Sequence, residues 1–262
     1  MTMAAAAQIA AVPDDVSLRF GPYRAVIGTS CASREAALSL RAAAFRNGES
    51  DTDRFDALCL HGCVTKRTDT ALVAFRARLI EDPGALADSY TGQNYDLSPL
   101  HRMPGPYLEL GRFCQSSGPP DVTALRLAWA ALGVLVDRHD IRMMIGCSSF
   151  SGADPETHRA ELAFLRAHHL GPKALRPNRA SADAIDLPDG PASPTGLPQL
   201  LRSYLAMGGW VSDHAVIDRE LDRLHVFTGL PVDAIPAPRK ARLRALAQAA
   251  QTSPLDLAPA AP

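Results

Sequence analysis

Most features that would place this chain outside the ordinary globular class are missing from it. Its formal net charge is -1, with 27 lysines and arginines against 28 aspartates and glutamates. No global field therefore draws it to nucleic acid. Basic residues interleaved with aromatics, the pattern of a base-stacking surface, do not occur. No stretch of about 18 uninterrupted apolar residues appears, which excludes a membrane-spanning helix. Met1 to Pro13 is alanine-rich but has no basic stretch, and its apolar run is too short for a secretory signal. The five cysteines, Cys31, Cys59, Cys63, Cys114 and Cys147, are odd in number and widely spread. That argues against a disulfide framework and for a reducing, cytoplasmic compartment.

Familiar catalytic signatures are missing too. There is no G-x-S-x-G elbow, P-loop, G-x-G-x-x-G fingerprint or zinc-protease motif, and there are no internal repeats. What remains is a 262-residue chain with 47% hydrophobic and 21% charged residues, enough for one large domain or two small ones. The composition divides it into a flexible leader over 1–16, one domain over 17–249 and a disordered Ala/Pro-rich tail over 250–262. Asp186 to Pro198 (DLPDGPASPTGLP) reads as a loop inside that domain.

The spacing predicts a mixed α/β fold with a sheet at its centre and helices on its faces. Strands are expected at Tyr23–Ile27, Ala57–Val64, Leu72–Ile80, Tyr107–Cys114, Arg142–Cys147 and Leu224–Leu230. In the Leu72–Ile80 run, Arg76 and Arg78 alternate with Val73, Phe75 and Ala77, which suggests one buried face. Helices are expected from a Ser33 cap to Phe45, from Asp121 with Val122, Leu125, Trp129, Leu132 and Val136 on one stripe, from Asp154-Pro155 to His169, and over Pro198–Met207.

Five constellations can carry chemistry. Arg41 lies beside the apolar stripe Leu38, Ala42 and Phe45, so it either snorkels to the surface or faces a pocket, with Asp53 and Asp56 as candidate partners. In YLELGRFC, Tyr107 to Cys114, a regular strand sets Glu109 and Arg112 on opposite faces. A bulge at Gly111 would bring them to one side and free a backbone N–H for an oxyanion; the alternative is an exposed ion pair on an edge strand. In MMIGCSSFSGADP, a buried strand runs out into Ser148 and Ser149, which can donate to a polar substrate. Cys147 reads as packing rather than as a nucleophile. Cys59, His61 and Cys63 have a ligand-like spacing but no second cluster completes a site, so no metal is expected. In GGWVSDHAVID, Asp213, His214 and Asp218 can supply polar groups to an amine, although a plain loop fits the composition better.

Taken in order, LRAAAF, FDALCLH, LVAFRARL, YDLSPL, LELGRFC, IGCSSFSGADP, LPQLLRSYLAMGGWVSDHAVID and LHVFTGLPVDAI resemble the ornithine-acyl carrier protein N-acyltransferases over roughly Arg24 to Ile235. More distantly, Arg41/Phe45, Asp53/Asp56 and Glu109-x-x-Arg112 are similar to acyl-homoserine lactone synthases. The resemblance implies a GNAT-like fold with splayed central strands. It also implies a reaction in which the α-amine of L-ornithine attacks a 3-hydroxyacyl thioester on acyl carrier protein, giving lyso-ornithine lipid. Glu109 would be the base and Arg112 its partner or a carboxylate clamp. Arg41, Phe45, Asp53, Asp56, Ser148 and Ser149 would shape the amino-acid site. Phe113, Cys114, Gly146 and Cys147 would line the groove for the acyl-pantetheine arm. The carrier's thioester is the only cofactor-like group expected, and a lipid product implies peripheral contact with the inner membrane face.

The segment Gln115 to Thr123 (QSSGPPDVT) departs from the pyrophosphate loop of enzymes that use coenzyme A, since two prolines remove amide donors. Arg126, Arg138, Arg142 and the Arg239-Lys240-Arg242-Arg244 run offer basic surface for an acidic carrier. Alternative readings are a lactone synthase, an N-acyltransferase for another amino acid, or a non-catalytic GNAT-like module that binds a carrier protein.

Overall fold

A computed structural model describes residues 16–29, 31–67 and 70–251. Its strands are β1 (Val16–Phe20), β2 (Tyr23–Gly28), β3 (Leu60–Lys66), β4 (Ala71–Ile80), β5 (Tyr95–Asp96), β6 (Tyr107–Gln115), β7 (Met143–Ser151), β8 (Asn178–Arg179), β9 (Ala184–Asp186), β10 (Trp210–Asp218) and β11 (Arg223–Pro231). Its helices are α1 (Cys31–Phe45), α2 (Val122–Arg138), α3 (Arg159–His168), α4 (Gln199–Leu205) and α5 (Ala237–Gln251). The fold is mixed α/β. Among the described residues, contacts cluster into two compact units, one of residues 16–78, 112–135 and 243–251, the other of 79–111 and 136–242.

In the first unit, β1 to β4 are sequential antiparallel neighbours, and α1 packs on β2 and β3. Alanine supplies much of α1, which favours the helix and lets it lie close to the sheet. Ser33, expected as the cap, falls inside the first turn. The helix ends as the composition dictates: Asn47 takes φ 51 and the Gly48 N–H closes back on the Ala42 carbonyl at 2.9 Å, a Schellman-type stop. Val16 is a buried residue of β1, so the expected leader ends before it; the rest of that leader lies outside the described residues. At the other end α5 runs to Gln251 with Ala250 buried, and the remainder of the expected tail is likewise outside them.

Two expectations for this unit change. β4 is buried on both faces through its middle, Arg76 included, because carboxylates meet the guanidinium inside (see below). In α2 the six residues Leu127–Leu132 are all buried, whereas Val122 is 57% exposed. The single stripe was therefore too narrow, and its first member belongs to solvent.

In the second unit the strand order is β6-β7-β11-β10-β9. β6 and β7 are parallel and pair only over Tyr107–Leu110 with Met143–Gly146. β7 and β11 pair antiparallel along their whole length, Met143–Ser151 against Arg223–Pro231. The strand at 143 thus runs four residues further than its apolar run suggests, because β11 goes on supplying backbone partners to polar positions. The segment expected as a loop, GGWVSDHAVID, is β10, with a bulge between Val211 and Ala215. Leu187 and Leu197 bury themselves beside Leu162, Leu201 and Val211 and so pin both ends of the 186–198 loop. Between β4 and β6 lies a stretch of 3-10 turns (Pro83–Asp88, Thr91–Gln93, Ser98–Arg102) that the sequence did not announce. Leu86, Tyr95, Leu97 and Leu100 plug it onto Ile145, Val216 and Phe227.

Candidate active site

The first unit holds a buried ion network. Arg41 is 0% exposed. Its Nε donates to Asp51 Oδ2 at 2.9 Å, Nη1 to Asp56 Oδ1 at 2.6 Å, and Nη2 to the Asp51 carbonyl at 2.6 Å and Asp56 Oδ2 at 3.1 Å. Arg76, brought in by its register with His61 on β3, donates to Asp53 Oδ1 at 2.5 Å and Asp56 Oδ1 at 3.1 Å. Arg112 donates to Asp51 Oδ2 at 3.1 Å, lies 3.6 Å from Asp53 Oδ2, and sits over the Phe45 ring at 5.7 Å. Three guanidinium groups thus meet three carboxylates. Burial without such pairing would be prohibitive for Arg41, Arg76, Asp51 and Asp56.

The network sets its own protonation. Burial pushes the Asp56 carboxyl up, but bonds from Arg41 and the Asp53 N–H, with the charges of Arg41 and Arg76, outweigh it and hold the group at about 2. Arg76 is raised: burial opposes its charge, and the hydrogen bond and charge of Asp53 overcome that. Arg112 has φ 52, a left-handed conformation uncommon for a residue with a side chain. The expected irregularity of the strand therefore falls on Arg112 itself, one residue beyond Gly111. Its pairing with two aspartates holds that conformation in place. Arg41 and Asp56 are sealed inside, and the rim of the network is Phe45, Asp53 and Arg112.

Two residues expected along an acyl groove lie in this unit. Phe113 stacks between Phe75 and Trp129, with centroids at 5.5 and 6.1 Å. Cys114 packs with Ala37, Cys63 and Ala74, and burial pushes its thiol up to about 12, so it is inert core.

In the second unit Glu109 is buried. The Thr91 N–H donates to Glu109 Oε1 at 2.7 Å, and the Tyr90 N–H lies 3.4 Å from Oε2. A short turn therefore fixes the carboxylate by its backbone, and lone pairs remain on both oxygens. Gly146 on β7 pairs with the next residue, Leu110. A Cβ there would meet the Leu110 carbonyl oxygen at 2.4 Å, so glycine is what lets the two strands approach. Cys147 is half-buried against the Tyr95–Phe227 core. Ser148 accepts from the Thr228 hydroxyl at 2.8 Å and is buried, whereas Ser149 is exposed. The serines are thus strand residues pointing to opposite faces, and only Ser149 is open to a ligand.

The same unit contains a polar cluster around Tyr95. The Tyr95 hydroxyl donates to the His225 carbonyl at 2.9 Å and lies 3.2 Å from His225 Nδ1. His214 Nδ1 lies 2.9 Å from Asp213 Oδ1, and Arg176 reaches Asp213 Oδ2 at 3.3 Å. Burial lowers the His225 pKa to about 4, although the Asp218 charge pulls the other way.

Sequence reasoning named Arg41, Phe45, Asp53, Asp56 and Arg112, and the structure gathers all five in one unit. It missed Asp51 and Arg76, which bond to them. The signal for Arg76 was an arginine in an otherwise apolar strand; for Asp51 only its nearness in sequence to Asp53 was available. Tyr95, His214 and His225 were missed as a group because they come from three strands.

Residues 34–129 match a family described as acetyltransferase (GNAT) domain. A protein of Rhodobacter capsulatus, an L-ornithine N(alpha)-acyltransferase, is 30% identical over 196 residues, 71% of this chain and 76% of its own. One of the same name from Brucella abortus is 29% identical over 213 residues, 71% and 72%. Among solved structures, a coenzyme A-dependent acyl-homoserine lactone synthase with MTA is similar at TM-score 0.45 and 9% identity, covering 81% of each chain. An N-acyl amino acid synthase from uncultured soil microbes is similar at TM-score 0.42 and 9% identity, covering 86% of this chain and 97% of the other. At these scores the structural likeness is loose.

Proposed function

Since the chain belongs to the family of L-ornithine N(alpha)-acyltransferases, we propose that it transfers a 3-hydroxyacyl chain from acyl carrier protein to the α-amine of L-ornithine, giving lyso-ornithine lipid. The observation that carries this reading is the relationship to the Rhodobacter protein, which extends well beyond the region matched by the acetyltransferase family.

The chemistry needs a neutral amine. The amine nitrogen attacks the thioester carbonyl, a tetrahedral oxyanion forms, and the carrier sulfur leaves, taking up the second nitrogen proton as a thiol, as the amide is made. Glu109 takes the ammonium proton, directly or through a water. Two features support that role: the carboxylate is withdrawn from bulk solvent, and main-chain amides rather than a flexible side chain hold it. Arg112 and Asp53, supported from beneath by Arg41, Asp51 and Asp56, keep a fixed pair of opposite charges at the rim of the first unit.

A carrier-bound donor is favoured over coenzyme A by the start of α2. Asp121 Oδ1 already accepts from the Thr123 and Ala124 amides at 3.0 Å each. Its carboxylate puts negative charge where a pyrophosphate would need bare N–H groups, and Pro119 and Pro120 withhold two more. Peripheral contact with a membrane follows from an amphiphilic product, since no helix among the described residues is long and apolar enough to cross one.

The test is mass spectrometry of products made from 3-hydroxyacyl carrier protein and a mixture of amino acids, with Glu109→Gln in parallel. N-acylornithine as the main product, with turnover about 100-fold lower in the variant, is expected for loss of a general base. A different acylated amino acid would replace the acceptor; an intact thioester would overturn the reaction, and full activity in Glu109→Gln would remove it as base.

A further inference from the structure

Two histidines of the second unit are not used by this reaction scheme. His214 lies within the β10 irregularity between Val211 and Ala215 and is 1% exposed; His225, on β11, is 2% exposed. Their Nδ1 atoms are committed, and hydrogen-bond accounting fixes the tautomers. A carboxylate only accepts, so the His214 Nδ1 carries the proton given to Asp213 at 2.9 Å. Tyr95 has one hydroxyl proton, and its shorter contact, 2.9 Å, is to the His225 carbonyl. The His225 Nδ1 is then the donor to the tyrosine oxygen at 3.2 Å. In a neutral imidazole the other nitrogen is a bare lone pair, and burial keeps His225 neutral near pH 7.

Neither Nε2 atom has a partner among the described residues. A buried polar nitrogen without a partner costs about 1–3 kcal/mol, and here two such nitrogens pack on one ring: Tyr95 lies 5.1 Å from the His214 centroid and 5.7 Å from that of His225. Negative charge backs both, from Asp213 on His214 and from Asp218 on His225. The place suits an N–H donor, and best a cationic one. The cross-strand partner of His225 is the exposed Ser149. The segment that bonds His225 through Tyr95 also gives Glu109 its amides from Tyr90 and Thr91.

We propose that the Nε2 atoms of His214 and His225, set around Tyr95, form an acceptor site for the side-chain amino group of the amino-acid substrate. The proposal rests on the acyltransferase reading. It makes these residues determinants of specificity, separate from the proton transfer assigned to Glu109.

The experiment compares ornithine with norvaline, which has the same carbon chain without the terminal amine, as acceptors for the full-length protein. Wild type prefers ornithine in kcat/KM. His214→Phe and His225→Phe each lose about 10- to 100-fold on ornithine, the range for a hydrogen bond to a charged group, and keep their activity on norvaline. Tyr95→Phe, which removes one oxygen and leaves the packing intact, moves the ratio the same way by less. A parallel fall on both acceptors would overturn the inference and leave the histidines as packing around a buried water. Equal use of the two acceptors by wild type would overturn it as well. Absence of any N-acylornithine from wild type would instead strike the functional reading, and product identity separates that case from a change in selectivity.

Discussion

A guanidinium with no solvent exposure, at position 41, is stable only because four hydrogen bonds and two carboxylates surround it. Its substitution measures the cost of the carboxylates left behind. Arg41→Met keeps the volume and removes the charge, so Asp51 and Asp56 lose their principal cation in a buried place. Destabilisation of about 3–5 kcal/mol is expected, read as a fall in the urea midpoint. A loss under about 1 kcal/mol would mean that Arg46 or solvent replaces the cation. The helical spacing of Arg41 and the nearness of Asp53 and Asp56 made part of this network legible beforehand. Arg76 was hidden because its alternation on β4 looks like an exposed face; it reaches the aspartates through the pairing of β4 with β3, and sheet register is not written in local spacing. Glu109 was identified as a carboxylate in an apolar strand, but its partners Tyr90 and Thr91 lie in a turn with no periodic signature.

Among the elements, the β6–β7 ladder is the most constrained by a single residue. Its parallel pairing covers four positions and ends at Gly146, where no side chain fits against Leu110. Gly146→Val should cost about 1–3 kcal/mol by overpacking, visible as a lower melting temperature; an unchanged melt would show that the strands part at little cost. Elements with a strong periodic pattern were readable from the sequence: β2, β4, β6, α2 and β11 fall within a residue or two of expectation. β10 was not. Its glycines and polar residues look like a loop, and it is a strand only because β9 and β11 offer partners on both sides and a bulge absorbs the excess. The start of α2 shows the reverse case, in which a local rule suffices, because an aspartate before an apolar run caps the helix wherever the helix goes.

At the scale of the whole molecule, buried titratable groups make stability depend on pH. Above the ordinary histidine value of 6.5, His225 is neutral folded or unfolded and contributes nothing to the dependence. Below it the unfolded chain takes up a proton that the folded chain refuses until about pH 4. Stability therefore falls as pH drops from 6.5 to 4, by up to about 3 kcal/mol for a shift of this size. Asp56 acts in the next window: its contribution is present above 3.8 and is lost as pH falls through about 2. Thermal melts from pH 7 to 4 should show the first loss in wild type and less of it in His225→Gln; identical profiles would show that His225 does not carry it.

The order of motifs along the chain was sufficient to identify the family and the mixed α/β class, because residue order and hydrophobic period survive in the sequence whatever the contacts become. Local chemistry determined the end of α1, the cap of α2 and the identity of Arg41, Asp56, Glu109 and Arg112 as unusual charges. Only the tertiary structure decided which charge meets which: that Arg76 joins the aspartates, that Glu109 rests on the amides of a turn, and that His214 and His225 share a tyrosine. Those pairings join residues from separate strands and turns, and they arise from strand register and burial, which exist only once the chain has folded.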